Sequence, residues 1–124
     1  MSHPTPSKPE TIVLDGVTQV VFGPDYRMIT EELIPAATEA LLQAASPPTM
    51  RLVIDLRQTE FFGSSFIEIL FRVWKRLKER NGRFALLNSN PYCLEVLKVT
   101  HLDSLWPICD ALEEAVAATK QADG

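Results

Sequence analysis

Hydrophobic and polar residues follow two different periods along this chain, and each period predicts one kind of element. Short stretches either alternate or are apolar throughout, which is typical of β-strands. The predicted strands are residues 11–14, 17–22, 51–56, 83–88 and 105–108. The first two flank Asp15-Gly16, a dipeptide typical of a hairpin turn. The run 51–56 is almost wholly apolar, so we expect it at the centre of a sheet.

Other stretches have an apolar residue every three or four positions, which is the period of an amphipathic helix. The predicted helices are residues 30–44, 65–80, 91–99 and 110–119. Pro35 falls in the first turn of the first helix or at a kink, and Asn81-Gly82 ends the second helix. The second helix has the clearest core-facing stripe, formed by Phe66, Leu70, Val73, Trp74 and Leu77.

The order of these elements is ββαβαβαβα, which predicts the fold class. Strands that alternate with helices imply right-handed crossovers and parallel pairing, while the N-terminal hairpin adds an antiparallel edge. We expect a single α/β domain, with a mixed, mostly parallel sheet of about five strands and helices packed mainly on one face. The domain spans residues 11–118, between a flexible N-terminal tail (1–10) and a C-terminal tail (119–124).

Two serines, Ser64 and Ser65, stand where the central strand leads into the second helix. Ser65 and Glu68 fit the S-x-x-E capping box, in which the hydroxyl accepts from a helical amide and the carboxylate reaches back. Ser65 is then the N-cap, and Ser64 lies outside the helix after Gly63, with its hydroxyl in solvent. A phosphate on Ser64 would meet free amides and the positive end of the helix dipole. The alternative is that both serines only begin the helix.

The apolar arc of this helix is wider than one sheet face can cover. At about 100° per residue, Ile67 and Phe71 fall beyond the central stripe. Either the helix is sunk deeply between its neighbours, or this surface forms a partner-binding rim beside Ser64. In the second case, Phe66 and Ile67 are the residues that a partner would touch.

The composition of the chain argues against nucleic-acid binding, membrane insertion and secretion. The chain has 124 residues and a formal net charge of −4, with 46% hydrophobic and 23% charged residues, as in an ordinary soluble domain. This charge gives no general attraction to nucleic acid, and the basic residues between 72 and 80 are interpreted as a solvated helix face. No apolar run approaches the ~20 residues of a membrane helix, and no secretion signal opens the chain. We therefore expect a cytoplasmic protein without membrane insertion.

Residues that usually carry metals or catalysis are sparse. Cys93 and Cys109 form no Cys-x-x-Cys pair, and His3 and His101 have no second ligand at a useful spacing. We therefore expect no metal and no cofactor. An enzymatic function finds little support, because Ser64 lies in no Gly-x-Ser-x-Gly elbow and His101, expected in a loop, is the only remote candidate base.

Several segments together resemble the STAS domain family, which includes sulfate transporter domains and anti-sigma factor antagonists, and in particular its free-standing anti-anti-sigma members. The resemblance covers residues 11–118. It rests on Val53-Ile54-Asp55-Leu56 followed by Phe61-Phe62-Gly63-Ser64-Ser65, on residues 77–83, on Asn90-Pro91, and above all on residues 96–105, Val-Leu-Lys-Val-Thr-His-Leu-Asp-Ser-Leu. The resemblance implies a regulatory binding protein that frees a sigma factor by binding an anti-sigma factor of the serine kinase type.

In this family the turn before the helix typically reads Asp-Ser-Ser/Thr-Gly, and the partner kinase phosphorylates its first serine. The resemblance therefore implies that Ser64 is the phospho-acceptor and that phosphorylation reverses docking. Gly63 stands in place of the usual aspartate and Phe66 in place of the usual glycine, so we expect an altered turn with added bulk where the partner approaches. Family members often carry an acidic residue in the loop before the first helix. Asp25 and Thr30 fall there, although a turn residue and a helix cap are the simpler interpretation.

The expected partner surface surrounds the same helix start. Its residues are Glu60, Gly63, Ser64, Ser65, Phe66, Ile67, Glu68 and Phe71. We expect a protein partner, either a serine kinase anti-sigma factor or a related regulator, and a chain that is a monomer or a weak homodimer. The alternative is a STAS scaffold subunit without phosphorylation, in a larger signalling or lipid-transport complex, for which the apolar rim would be a permanent interface.

Overall fold

The structure is a computed structural model, and it describes residues 7–120. Its strands are β1 (Glu10–Leu14), β2 (Val17–Val21), β3 (Met28–Ile29), β4 (Arg51–Asp55), β5 (Phe61–Phe62), β6 (Arg83–Leu87) and β7 (Ile108–Cys109). Its helices are α1 (Ile34–Ala44), α2 (Ser64–Lys78), α3 (Pro91–Val99) and α4 (Leu112–Lys120), with 3₁₀ turns at Pro24–Tyr26, Glu31–Leu33 and Leu102–Ser104. The four predicted helices are present, and every predicted strand overlaps a strand of the structure.

Five strands form the main sheet, in the order β1-β2-β4-β6-β7. β1 and β2 are antiparallel, and the remaining pairings in this sheet are parallel. The hairpin turns through Asp15 and Gly16, which both have positive φ (53° and 79°), as a two-residue turn between twisted strands requires. The expected single α/β domain with a mixed sheet of about five strands is confirmed.

Helices cover both faces of the sheet, but unequally. α1, α2 and α3 share one large core with strand residues such as Leu52 and Ile54. Of the four described helices, α4 covers the other face, where Ala115 belongs to a smaller cluster with Val53 and Ala85. Successive residues of β4 thus point to opposite faces, as the period of a strand demands. The prediction that helices pack mainly on one face is confirmed, with α4 as the exception.

Two element boundaries differ from the sequence prediction. The strand expected at residues 105–108 corresponds to β7, which begins only at Ile108. It begins later than predicted because Trp106 is buried against α2 and β6, and because Pro107 has no amide to donate to a strand ladder. The helix expected at residues 30–44 starts with a 3₁₀ turn and becomes α-helical at Ile34, with Pro35 in its first turn. Neither difference changes the order of the elements.

The exact ends of the domain stay a prediction. β1 begins at Glu10 and α4 continues to Lys120, while residues 1–6 and 121–124 of the expected tails lie outside the described residues. Within residues 7–120, no helix is both long and apolar enough to cross a bilayer. Both cysteines are free thiols, and burial raises the pKa of Cys93 to about 11, so its side chain is a protonated thiol at neutral pH.

Candidate functional site

The site begins at the end of β4, where a buried carboxylate anchors the chain. Asp55 accepts hydrogen bonds from the guanidinium of Arg57, the shortest at 2.7 Å, and from the side-chain amide of Gln19 at 2.9 Å. The backbone amide of Arg57 donates to the same carboxylate (3.1 Å). The hydrogen bond to Asp55 raises the pKa of Arg57, so the guanidinium stays charged. Arg57 is therefore already paired with Asp55 and is not a free cation beside the helix start.

A buried asparagine holds the loop that follows β4. Asn88, directly after β6, donates through Nδ2 to the carbonyl oxygens of Leu56 (2.7 Å) and Thr59 (3.2 Å). The buried hydroxyl of Thr59 donates in turn to the carbonyl oxygen of Tyr26 (3.0 Å). Leaving these buried carbonyls unpaired would be costly, so the network fixes the loop. Sequence analysis did not identify Asn88. The only feature of the sequence that indicates its role is that it is a polar residue directly after an apolar strand.

A second, two-stranded sheet positions the start of α2. β3 pairs in parallel with β5, with Met28 opposite Phe61. The backbone amide of Glu60 also donates to the carbonyl oxygen of Arg27 (2.7 Å). This pairing brings the 3₁₀ turn Glu31–Leu33, which follows β3, to the first turn of α2. The two strands have two residues each, too few for a sequence period to reveal them.

The first turn of α2 differs from the predicted capping box. α2 begins at Ser64, and its N-cap is Gly63, which makes no side-chain hydrogen bond. The hydroxyl of Ser65 donates to the carboxylate of Glu31 (2.9 Å), and Glu68 is exposed. The prediction that Ser65 caps the helix and Ser64 lies outside it is therefore wrong. The carboxylate of Glu31, from another segment, accepts the hydrogen bond of the Ser65 hydroxyl, because a charged acceptor makes a stronger hydrogen bond than a neutral backbone group does.

The structure does not require a glycine at position 63. Gly63 has a φ of −110° and a ψ of −168°, extended values that any residue adopts. A Cβ atom added to it would have no neighbour within 4 Å. The aspartate typical of the family would therefore fit at Gly63 without strain.

Ser64 is exposed at the edge of a shallow depression of about 300 Å³. The depression is lined by Ile29, Thr30, Glu31, Ile34, Phe61, Gly63, Ser64, Ser65 and Phe66. Glu31 is the only titratable side chain among these described residues, so the depression is acidic. His101, the remote candidate base, is exposed in another loop and does not line it. Among the described residues, Glu31 is thus the charged neighbour of Ser64 in this depression, and no histidine lies beside it.

Of the two residues expected before the first helix, only Thr30 lies at this depression. The hydroxyl of Thr30 donates to Glu32 (2.7 Å) and does not cap the 3₁₀ turn that follows. Asp25 lies in the preceding 3₁₀ turn, accepts a backbone hydrogen bond and lines a different groove. The interpretation of Asp25 as a turn residue agrees with this position.

Phe66 is buried and does not belong to a partner-binding rim. It is 0% exposed, and its ring contacts the rings of Phe22 and Phe62, with centroids 5.8 and 5.5 Å away. The prediction that Phe66 adds bulk where a partner approaches is therefore wrong. Phe66 heads the same inward stripe as Leu70 and Val73, and this helical period carries its ring into the core.

Four residues form what we call the outer stripe of α2: Ser64, Ile67, Glu68 and Phe71. Residues three, four and seven positions apart follow one side of a helix. Ser64 and Glu68 are exposed, whereas Ile67 and Phe71 are half-buried and also pack against the core. Glu60, in the loop before α2, is exposed as well. Apart from Phe66, every residue of the predicted partner surface is thus at least partly accessible.

Comparisons with known proteins bear on this fold. A sequence profile of the STAS domain matches residues 9–115. An anti-sigma-factor antagonist (STAS) domain protein from Planctomyces limnophilus aligns with a TM-score of 0.82 and 38% identity, over 91% of this chain and 98% of that one. An anti-sigma factor antagonist from Mycobacterium paratuberculosis aligns with a TM-score of 0.79 and 27% identity, over 92% of this chain and 94% of that one.

A further relative is BtrV of Bordetella bronchiseptica, which is named as an anti-sigma factor antagonist. It is 29% identical over 72 residues, which are 58% of this chain and 62% of BtrV, so the match spans less than two thirds of that protein. The profile and the Planctomyces protein, in contrast, match most of this chain. The prediction from sequence is therefore confirmed: this chain belongs to the STAS domain family and has the fold of its anti-sigma factor antagonists.

Proposed function

We propose that this chain is an anti-sigma factor antagonist that acts in the cytoplasm by binding a kinase-type anti-sigma factor, and that phosphorylation of Ser64 weakens this binding. The observation that carries the proposal is the exposed hydroxyl of Ser64, which begins α2 at the edge of an acidic depression. The relatives from Planctomyces and M. paratuberculosis support it, since both are called anti-sigma factor antagonists. Binding would involve the outer stripe of α2 together with Glu60, Gly63 and Ser65.

Ser64 suits a modification because no other part of the site depends on its hydroxyl. Within residues 7–120, the Ser64 side chain makes no hydrogen bond. A phosphate there would lie near the free amides and the positive dipole end of α2. It would add a charge of about −1.5 to −2 at the surface without entering the core. The fold should therefore tolerate the phosphate.

The same phosphate would disfavour a docked partner for an electrostatic reason. Glu31, Glu60 and Glu68 are exposed carboxylates around the helix start, and no basic side chain of residues 7–120 lines the depression. The first basic residue of α2 is Arg72, eight positions after Ser64, or about 12 Å along the helix axis. A partner covering Ser64 would thus have to desolvate a dianion that has no nearby cation within α2.

The departures from the usual family turn leave this role open. The ring of Phe66 lies in the core, so it does not obstruct a partner that approaches Ser64. Gly63 lacks the usual carboxylate but keeps an extended backbone and open space around its Cα. The accessible part of the turn therefore differs from the family pattern by one missing carboxylate.

The test measures how much anti-sigma factor copurifies with the tagged chain from its native cells. Ser64→Ala should retain the partner, whereas Ser64→Asp should reduce its recovery about tenfold, because the new carboxylate mimics part of the phosphate charge. Site-resolved phosphopeptide mass spectrometry should find phosphate on Ser64 in the unbound chain and not in the complex. Ser104→Asp is the matched control, since Ser104 is exposed outside the depression, and should bind as the wild type does.

Equal recovery with Ser64→Ala and Ser64→Asp, together with an unmodified Ser64 in every growth condition, would contradict the switch. A complex that remains stable under those conditions would identify a permanently docked scaffold subunit, the alternative that the sequence left open.

A further inference from the structure

The two edges of the main sheet differ in length and exposure. β7 has two residues, whereas β1 has five, all of them exposed. Val13 and Leu14 are each 68% exposed, and Ile12 is 40% exposed. Natural edge strands are usually guarded by lysine, proline or a bulge, yet residues 10–14 contain neither residue type and pair with β2 without a bulge. Within residues 7–120, no strand pairs with the outer side of β1, which is therefore an exposed and largely apolar edge.

The register of the hairpin decides which backbone groups of β1 point outward. Leu14 and Val17 flank the two-residue turn and form a hydrogen-bonded pair across the hairpin. Such pairs alternate along an antiparallel ladder, so every second residue back from Leu14 also bonds to β2. The amides and carbonyls of Thr11 and Val13 therefore point away from the sheet, and they have no backbone partner among the residues that the structure describes.

One side of β1 continues into a groove beside α4. Ile12 and Leu14 line this groove, of about 350 Å³, together with Leu112 and Val116. Lys120, at the end of α4, also lines it. Lys120 is exposed and makes no ion pair within the part of the chain that the structure describes. Asp15 and Arg51 line the groove as well, so its charged lining residues, one carboxylate and two cations, leave a net charge of +1 beside the apolar walls.

We propose that β1 pairs antiparallel with β1 of a second copy of this chain, which joins two main sheets into one continuous sheet. The outward-pointing groups place Thr11 opposite the partner's Val13, and Val13 opposite the partner's Thr11. The two Ile12 side chains meet at the twofold axis between these hydrogen-bonded pairs. This interaction goes beyond the proposed switch, because no residue that lines the Ser64 depression belongs to β1.

Charge complementarity favours a second copy over another protein. In this register Glu10 lies opposite the partner's Leu14, and directly opposed residues share one side of the sheet. Glu10, Ile12 and Leu14 share the groove side because they alternate along β1. Glu10 therefore lies over the partner's groove, near the partner's Lys120, and symmetry repeats this pair. The chain is in this way complementary to itself at both ends of the strand.

Sedimentation velocity over roughly 5 to 500 µM tests the pairing, since a small interface dissociates in this range. Val13→Pro removes an outward amide without breaking a hydrogen bond to β2, and should raise the dimer dissociation constant about tenfold or more. Val13→Thr keeps the amide and the preference for a strand, and is the matched control. It should change the dissociation constant by less than about threefold. Circular dichroism confirms that both variants are folded.

Charge reversal tests the register separately. Glu10→Lys alone and Lys120→Glu alone should each weaken the dimer about fivefold, and the double variant should restore it to within about twofold, because it recreates the pair with opposite polarity. A wild-type chain that stays monomeric up to about 500 µM would overturn the proposal. The proposal would also be overturned if Val13→Pro left the dimer dissociation constant unchanged. The same holds if the double charge reversal weakened the dimer by the sum of the two single effects. None of these outcomes depends on Ser64, so they are independent of the test of the switch.

Discussion

Ser64 and Phe66 are two positions apart in the first turn of α2, yet they belong to different parts of the molecule. Phe66 is fully buried among Phe22 and Phe62, whereas Ser64 is exposed and makes no side-chain hydrogen bond within the described residues. Both residues were candidates for the partner surface because of the same family motif, but only Ser64 is accessible to a partner. A single turn of helix thus contains both a residue that stabilises the fold and a residue that is accessible at the surface.

The boundary between these two sides is made by Ser65. It is half-buried, and its hydroxyl donates to Glu31 from the segment after β3. This hydrogen bond ties the first turn of α2 to the exposed side of the segment Glu31–Leu33, whose Leu33 packs in the same core as Phe66. The inner side should therefore respond to mutation through stability, and the outer side mainly through binding.

The largest effect is expected on the inner side. Phe66→Ala removes a fully buried ring and leaves a cavity, so it should lower the free energy of unfolding by about 3–5 kcal/mol. Urea denaturation followed by circular dichroism measures this loss. Phe71→Ala, at a half-buried position of the same helix, is the matched control and should cost about half as much. Similar losses for the two variants would mean that the inner and outer sides of α2 do not differ in the way we describe.

A smaller effect is expected at the boundary. Ser65→Ala and Glu31→Ala each remove one partner of the 2.9 Å hydrogen bond, and a double-mutant cycle should give a coupling energy of about 0.5–1 kcal/mol, because the pair is partly exposed. The free energies of unfolding of the four proteins measure this coupling. Glu60→Ala in place of Glu31→Ala is the control, and its coupling to Ser65→Ala should be near zero. A coupling of zero for Glu31 would show that it does not hold the outer side in place.

The smallest effect is expected at the N-cap. Gly63→Asp supplies the missing cap and places a carboxylate at the positive end of the helix dipole, so it should stabilise the protein by a few tenths of a kcal/mol. Differential scanning calorimetry should then show a rise of about 1–2 °C in Tm. Gly63→Ala, which fits the same space without an acceptor, should instead lower Tm. If Gly63→Asp lowers Tm as much as Gly63→Ala, then Gly63 is not the N-cap in solution.

Much of the fold was predictable because its signals are local. The inward stripe of α2 and the run 51–56 follow from residue spacing and hydrophobicity, which neighbours in space did not override. The turn at Asp15-Gly16 follows from backbone preferences alone. Element ends were less predictable: Trp106, whose pattern suggested a strand, is held instead by packing against Phe71 and Phe84.

The candidate site was predictable at Ser64 and unpredictable around it. Ser65-Phe66-Ile67-Glu68 satisfies the capping-box pattern, but the structure gives the Ser65 hydroxyl to Glu31, which is 34 positions earlier in the chain. Asn88, which fixes the loop before α2, is likewise distant in sequence from the carbonyls that it binds. Pairwise contacts of this kind leave no period in a single sequence.

The sequence by itself determined the order of elements, the STAS fold and the place of Ser64 at the start of α2. Only the tertiary structure decided that Phe66 is buried, that Glu31 contacts Ser65, and that β1 leaves an apolar edge open. The physical reason is the range of the interactions. Helical and strand periods act between residues a few positions apart, whereas accessibility depends on which distant segments the fold brings together.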